Sequence, residues 1–326
     1  MTATRTVDAR RPLIYLGVGA LLALVSLLAP AVSPTGTEAP PADAAPAPAA
    51  PAAPAAPCTG VEQSLRPIGA LPAPGQMPAG SMMATILANG RLRAGVDQGK
   101  FHAGYRNPTN GQLEGSDIDV VRSIATAIFG SPDKVQYVVL NVADRASAIE
   151  QGRVDIVVNS FTVNCDRQRH VAFSAPYLAA TQRLLVPKGS GINEVEDLAG
   201  KTVCTSAGSV TVAKLQSFQG VQVEALPGIP DCMVELQAGR VQAVSTDDFI
   251  LAGLAAQDPQ TQVVGRGLDP QLYAVGMPLG ADDFVRFVNG VLEKGRADGS
   301  LAASDKHWFD GLLNPVPQPP APVYRD

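Results

Sequence analysis

The chain has 326 residues, 46% of them hydrophobic, and its 25 basic and 30 acidic side chains leave a net charge of −5. That length suits about two folded units with ordinary apolar cores. The mildly acidic balance carries no basic cluster and argues against nucleic acid as a partner, because phosphate binding needs a concentrated cationic surface.

Arg5, Arg10 and Arg11 precede an uncharged apolar segment from Leu13 to Ala29. At about 1.5 Å per residue it reaches roughly 25 Å, near the lower limit for crossing a bilayer. Residues 1–31 therefore read as a signal peptide, with Ala29-Pro30-Ala31 as the cleavage site, or as an uncleaved membrane anchor. Lipid attachment would need a cysteine just after the run, and the first, Cys58, lies far beyond it. Residues 32–57 read as a disordered linker. From Ala39 to Pro57 every residue except Asp43 is Ala or Pro, which cannot bury a core and favours an extended spacer.

Strands and helices then alternate. Leu92–Val96, Val135–Leu140 and Asp155–Asn159 read as strands, with helices expected over Ile118–Phe129 and Arg145–Gly152. After Pro176 the pattern restarts, with strands expected near Arg183–Val186, Thr202–Thr205, Val221–Leu226 and Ala243–Ser245. Helices expected over Asp282–Arg296 and Ser304–Phe309 close the chain.

The segment from Ser160 to Pro176, SFTVNCDRQRHVAFSAP, follows the apolar, β-branched run Val154–Val158. Its polar residues thus sit past the carboxyl end of a buried strand, where open α/β sheets bind ligands. Ser160 and Thr162 offer small hydroxyls, and Arg167 offers a planar fork matched to a carboxylate. This Ser-x-Thr-x-x-x-x-Arg order resembles the signature of the family 3 bacterial extracellular solute-binding proteins, the periplasmic amino-acid receptors of ABC importers. Other segments agree in the family's order: LRAGVD at 92–97, DRASAIEQGRVD at 144–155, DLAGKTVCTSAGS at 197–209 and AVSTDDFILAGL at 243–254. The closing FVRFVNGVLEKGRADGSLAASDKHWF at 284–309 agrees as well, and the resemblance covers roughly residues 84–314. Within the family the chain looks most similar to glutamate/aspartate/glutamine binders.

The resemblance implies an α/β, two-lobed periplasmic-binding-protein-like fold (type II) that closes by a hinge on a ligand in the inter-lobe cleft. Residues 58–182 and 274–314 would form lobe 1, 183–273 lobe 2, and 315–326 a Pro-rich tail, with hinge crossings at Gln182–Leu184 and Gln271–Tyr273. Arg167, Thr162 and Ser160 would clamp the α-carboxylate, and Asp247 would take the α-ammonium. Asp247 also follows a strand and precedes an apolar helix, so capping competes for it, although Asp248 can fill that role. Ser209, after Ala207-Gly208, can cap a helix or donate to a carboxylate, and Gly208 shares that turn. Arg145 matches the position that engages a side-chain carboxylate in glutamate/aspartate binders, against the plain reading of a surface helix arginine. Lys100 lies where many glutamine or arginine binders present an aromatic. Two cations near one pocket favour an anionic side chain. The role of Asp97 is left open.

The four cysteines allow three pairings and match no zinc pattern. Cys204 and Cys232 both fall in the expected second lobe and are expected to pair, leaving Cys58 with Cys165, a usage that suits an exported protein. No metal or other cofactor is implied, and His102 and His170 lack a ligand set. GxSxG, HExxH, P-loop and GxGxxG motifs are absent, and Ser131 and Lys134 form an SxxK string only around Pro132. The chain thus reads as a monomeric, extracytoplasmic, non-enzymatic receptor, membrane-tethered or secreted, that binds a free amino acid and delivers it to an ABC permease. The alternatives are a sensor signalling to a membrane receptor and a dehydratase on the same fold.

Overall fold

The computed structural model describes residues 60–67 and 69–326, within one compact unit spanning Ala56–Asp326. The expected signal or anchor at 1–31, the linker at 32–57 and Cys58 lie outside the described residues. Among the described residues, no helix is long and apolar enough to cross a membrane.

The fold is α/β and two-lobed, each lobe built on one sheet. The first sheet runs in the order Val135–Val139, Leu92–Val96, Ile156–Val157, Gly276–Pro278, Val171–Phe173. Leu92–Val96 pairs in parallel with both of its neighbours. The second sheet runs in the order Gln222–Leu226, Thr202–Ser206, Ala243–Asp247, Leu178–Pro187, Thr261–Val264, its first three strands parallel. Parallel strands need crossover helices, and these cover the sheet faces, so central strands read as continuous apolar runs instead of alternating ones. Helix Ser116–Phe129 buries Ile118, Val121, Ile124 and Ile128, one stripe at helical spacing.

The strand Leu178–Pro187 serves both parts of the molecule. Leu178–Thr181 pairs antiparallel with Tyr273–Pro270, whereas Gln182–Leu185 pairs with Asp247–Val244. Gln182–Leu184, expected as a crossing, is therefore already inside the second sheet, and Leu178–Thr181 forms the ribbon with the returning strand. The run TQRLLV carries no break, so composition alone offers nothing to mark where one pairing partner gives way to the next.

Two further features fix the ends of the chain. Strand Gln63–Leu65 pairs in parallel with Val323–Arg325, at the end of a tail that the sequence marks only as Pro-rich. Asn289, fully buried on helix Asp282–Ala297, donates to Ser64 Oγ at 2.8 Å and to the Leu65 carbonyl at 2.7 Å, and accepts from the Ala175 amide at 2.7 Å. The entering strand is thereby held against the first lobe by buried hydrogen bonds that would be costly to leave unmade.

A disulfide joins Cys204, on strand Thr202–Ser206, to Cys232, on helix Ile229–Gln237, with the Cα atoms 5.4 Å apart. Cys165 is also disulfide-bonded, and its expected partner, Cys58, lies outside the described residues.

Candidate ligand-binding site

Seven of the eight residues named from the sequence line one cavity: Lys100, Arg145, Ser160, Thr162, Arg167, Ser209 and Asp247. The eighth, Gly208, meets it through its carbonyl oxygen, which accepts from Arg167 Nη2 at 3.1 Å. A larger cavity of about 760 Å³, between segment 71–74 and helices Ser116–Phe129 and Asp282–Ala297, holds none of them.

Arg167 stands on the short helix Cys165–Gln168, which Asn164 caps by accepting from the Arg167 amide at 2.8 Å. Its Nη1 donates to the Thr162 carbonyl at 2.6 Å, and its guanidinium lies 5.0 Å from the Phe161 ring centroid. Partial burial lowers its pKa to about 10, against the opposing pull of Asp166 and Asp247. Thr162 sits beside Tyr273 in a single antiparallel bridge. Ser160 adopts a φ of 47°, and its amide and hydroxyl donate to Asp117 Oδ2 at 2.8 and 3.1 Å. Its hydroxyl proton is therefore directed away from the cavity, leaving the oxygen as an acceptor.

Arg145 begins the helix Arg145–Glu150 and is 3% exposed. A surface helix arginine is thus not what the fold makes of it. Its Nε donates to the Val142 carbonyl at 2.9 Å, and Nη1 donates to the Asn159 and Ser160 carbonyls, both at 3.0 Å. The guanidinium lies 4.5 Å from the Phe161 ring centroid. Burial, and then the like charge of Arg167, press its pKa well below the ordinary guanidinium value. Lys100 is equally buried but differently partnered. Its Nζ donates to Asn159 Oδ1 at 2.6 Å and pairs with Asp97 Oδ2 at 3.3 Å, which gives Asp97 a place in the site's charge balance. Burial lowers the Lys100 pKa, while Asp97 opposes that shift.

Asp247 ends strand Ala243–Asp247 and occupies the N-cap position of helix Asp248–Gln257 without a side-chain cap bond. Asp248, the first residue of that helix, accepts from the Phe249 amide at 2.9 Å, and the Asp247 carboxylate makes no cap bond to the helix. Burial, and then Asp248, raise the Asp247 pKa to about 7, against the opposing pull of Lys100, Arg145 and Arg167. Ser209 likewise makes no side-chain cap bond to its helix, and its Oγ lies 3.4 Å from Thr205 Oγ1. Gly208 has φ +72°, and a Cβ there would stand 2.7 Å from the Ala143 Cα, so only glycine allows the two walls to meet here.

Four contributors escaped sequence reasoning. Asn159 holds Lys100, Asp117 holds Ser160, Phe161 underlies both guanidinium groups, and the Tyr273 hydroxyl donates to Asp247 Oδ2. Phe161 lies inside the Ser160–Pro176 segment and Asn159 ends the strand expected just before it, and their aromatic and polar types are the available signal. His102 is hydrogen-bonded to the Trp308 carbonyl and His170 to Glu150, and no cluster among the described residues could hold a metal.

The cavity volume is about 30 Å³, room for a water molecule or two. Chemically, the cavity presents two guanidinium groups whose acceptors are main-chain carbonyls, one ammonium already paired, and one uncapped carboxylate.

Residues 92–311 match the bacterial extracellular solute-binding proteins, family 3. The chain is 29% identical over 229 residues to the ABC transporter glutamine-binding protein GlnH of Bacillus subtilis, which spans 70% of this chain and 84% of that protein. It is 30% identical over 244 residues to the glutamate-binding protein GluB of Corynebacterium efficiens, spanning 71% and 83%. Among solved structures, the solute receptor for L-cysteine of Neisseria gonorrhoeae is similar with a TM-score of 0.68 at 26% identity, over 72% of this chain and 97% of that one.

Proposed function

The chain belongs to the bacterial extracellular solute-binding proteins, family 3, and on that premise we propose that it binds a free amino acid outside the cytoplasm and hands it to an ABC importer. It performs no chemistry on its ligand. The two lobes follow the limits 58–182 with 274–314 and 183–273, with the boundary residue Gln182 pairing into the second sheet, and the molecule acts as a monomer held to the membrane through residues 1–31 or released by their removal. Relatives named for glutamine and glutamate support an amino acid with a short side chain that ends in a carboxylate or carboxamide.

Arg167 and the Thr162 hydroxyl receive the α-carboxylate, Ser209 and Gly208 close over it from the second lobe, and Asp247 receives the α-ammonium. The ligand is glutamate or aspartate ahead of glutamine or asparagine. The observation that carries this preference is Arg145, whose charge is 3% exposed and whose hydrogen bonds all end on carbonyl oxygens. A buried guanidinium without a counter-ion is costly, and a ligand carboxylate supplies one. Lys100 is already neutralised by Asp97 and serves to hold the wall.

The test is the relative loss for acid and amide ligands. Arg145→Met should weaken glutamate at least tenfold more than glutamine, because only the acid loses an ion pair. Lys100→Met should affect the two alike. Equal losses in Arg145→Met would leave Arg145 as a wall residue and remove the basis for an acidic ligand.

A further inference from the structure

Asp247 has two carboxylate oxygens in different circumstances. Oδ2 accepts from the Tyr273 hydroxyl, whereas Oδ1 is buried and has no hydrogen-bond partner. Tyr273 is itself fully buried and lines the cavity. Its backbone is fixed on three sides: it pairs with Leu178 across the ribbon, bridges to Thr162, and its carbonyl accepts from the Tyr177 amide at 2.8 Å. Its ring meets that of Phe249 edge-on, with centroids 5.7 Å apart. The hydroxyl is thus presented from a strand whose position is determined by both lobes.

We propose that Tyr273 is the positioning residue for the ligand's α-ammonium: by occupying Oδ2 of Asp247 it holds the carboxylate so that Oδ1 faces the cavity as the ammonium acceptor. This rests on the reading of Asp247 given above. An unpartnered buried oxygen is costly in the absence of ligand, and an ammonium removes that cost by donating to it. The hydroxyl bond also favours the ionised carboxylate, the form an ammonium needs. That matters because burial and Asp248 push the Asp247 pKa upward, with Lys100, Arg145 and Arg167 as the cations that oppose them. Losing the hydroxyl should raise it further.

Tyr273→Phe removes the donor and keeps the ring against Phe249. The first measurement is independent of ligand: carbon-13 NMR of the Asp247 carboxyl as a function of pH, in wild type and Y273F, with melting temperature as a check on folding. Asp247 should titrate at higher pH in Y273F, and an unchanged titration would overturn the proposal. The second is calorimetric titration with L-glutamate between pH 6 and 9. Y273F should bind about tenfold more weakly at pH 6.5, and part of that loss should remain at pH 9, where both carboxylates are ionised and only the orientation of Oδ1 is lost. In the D247N background, Y273F should change glutamate affinity little. A loss of the same size in D247N would make Tyr273 a wall residue only. If Asp247 titrates as expected but neither wild type nor Y273F takes up glutamate, the fault lies with the ligand reading and not with the role of Tyr273 on the carboxylate.

Discussion

Arg167 and Gly208 are joined by a hydrogen bond of 3.1 Å from the guanidinium to the main-chain carbonyl, linking the clamp helix beside the first sheet to the turn after a strand of the second. The same guanidinium is the proposed receiver of the α-carboxylate. On that proposal, ligand capture and the contact between the two walls share one side chain.

Removing that side chain should be severe. Arg167→Ala should weaken binding more than a hundredfold, about 3 kcal/mol, since a desolvated carboxylate is left unpaired. Asp247→Asn should act similarly at the ammonium end. Calorimetry reads both, and a loss under threefold for either would remove that residue from the site.

Closure can be impeded without touching the cavity. Gly253 lies within helix Asp248–Gln257, and a Cβ there would stand 3.1 Å from the Phe101 carbonyl oxygen, on the segment after the first lobe's Gly99–Lys100 strand. Alanine is favoured over glycine in a helix by about 1 kcal/mol. Gly253→Ala should therefore keep or raise the melting temperature while weakening ligand binding about three- to tenfold. Unchanged affinity would show that the Phe101 contact yields freely.

Asp305 offers a pH test of stability. It is 2% exposed with an unpartnered Oδ2, and burial, then Asp117 and Asp119, raise its pKa to about 8. Because the folded protein holds this proton more tightly than the unfolded chain, its stabilising contribution is complete below about pH 4 and lost as pH rises through 8. Asp305→Asn should be the more stable protein at pH 9 by on the order of 5 kcal/mol, with the gap closing toward pH 4. Denaturant midpoints across that range check it, and a gap independent of pH would contradict it.

The cysteines give a covalent test. Cys204 and Cys232 are 28 residues apart, and losing their bridge through Cys204→Ser with Cys232→Ser should cost about 3.5 kcal/mol in the loop-entropy account. Mass spectrometry of unreduced protein should also recover a peptide linking Cys58 to Cys165. A free thiol at Cys58 would contradict that second pairing.

Legibility in the sequence followed the range of the interactions. The strand Leu92–Val96 and the helix reaching Phe129 were readable because apolar periodicity is local. The three-residue strands Gln63–Leu65 and Val323–Arg325 were not, since each is defined only by a partner at the other end of the chain. The site divides the same way. Ser160, Thr162 and Arg167 share one motif, but the hydroxyl direction of Ser160 depends on Asp117, 43 residues earlier, and no local pattern reports that. Asp247 and Tyr273 meet because both of their strands pair with Leu178–Pro187, in registers that only the folded strands set.

The most direct measurement is calorimetric titration of residues 58–326 with each of the standard amino acids at pH 7.5. Glutamate or aspartate should bind tightest, with the corresponding amide at least tenfold weaker and cationic amino acids weaker still. Tightest binding by a neutral or cationic amino acid would contradict the role given to Arg145, and no binding by any of them would contradict the account as a whole.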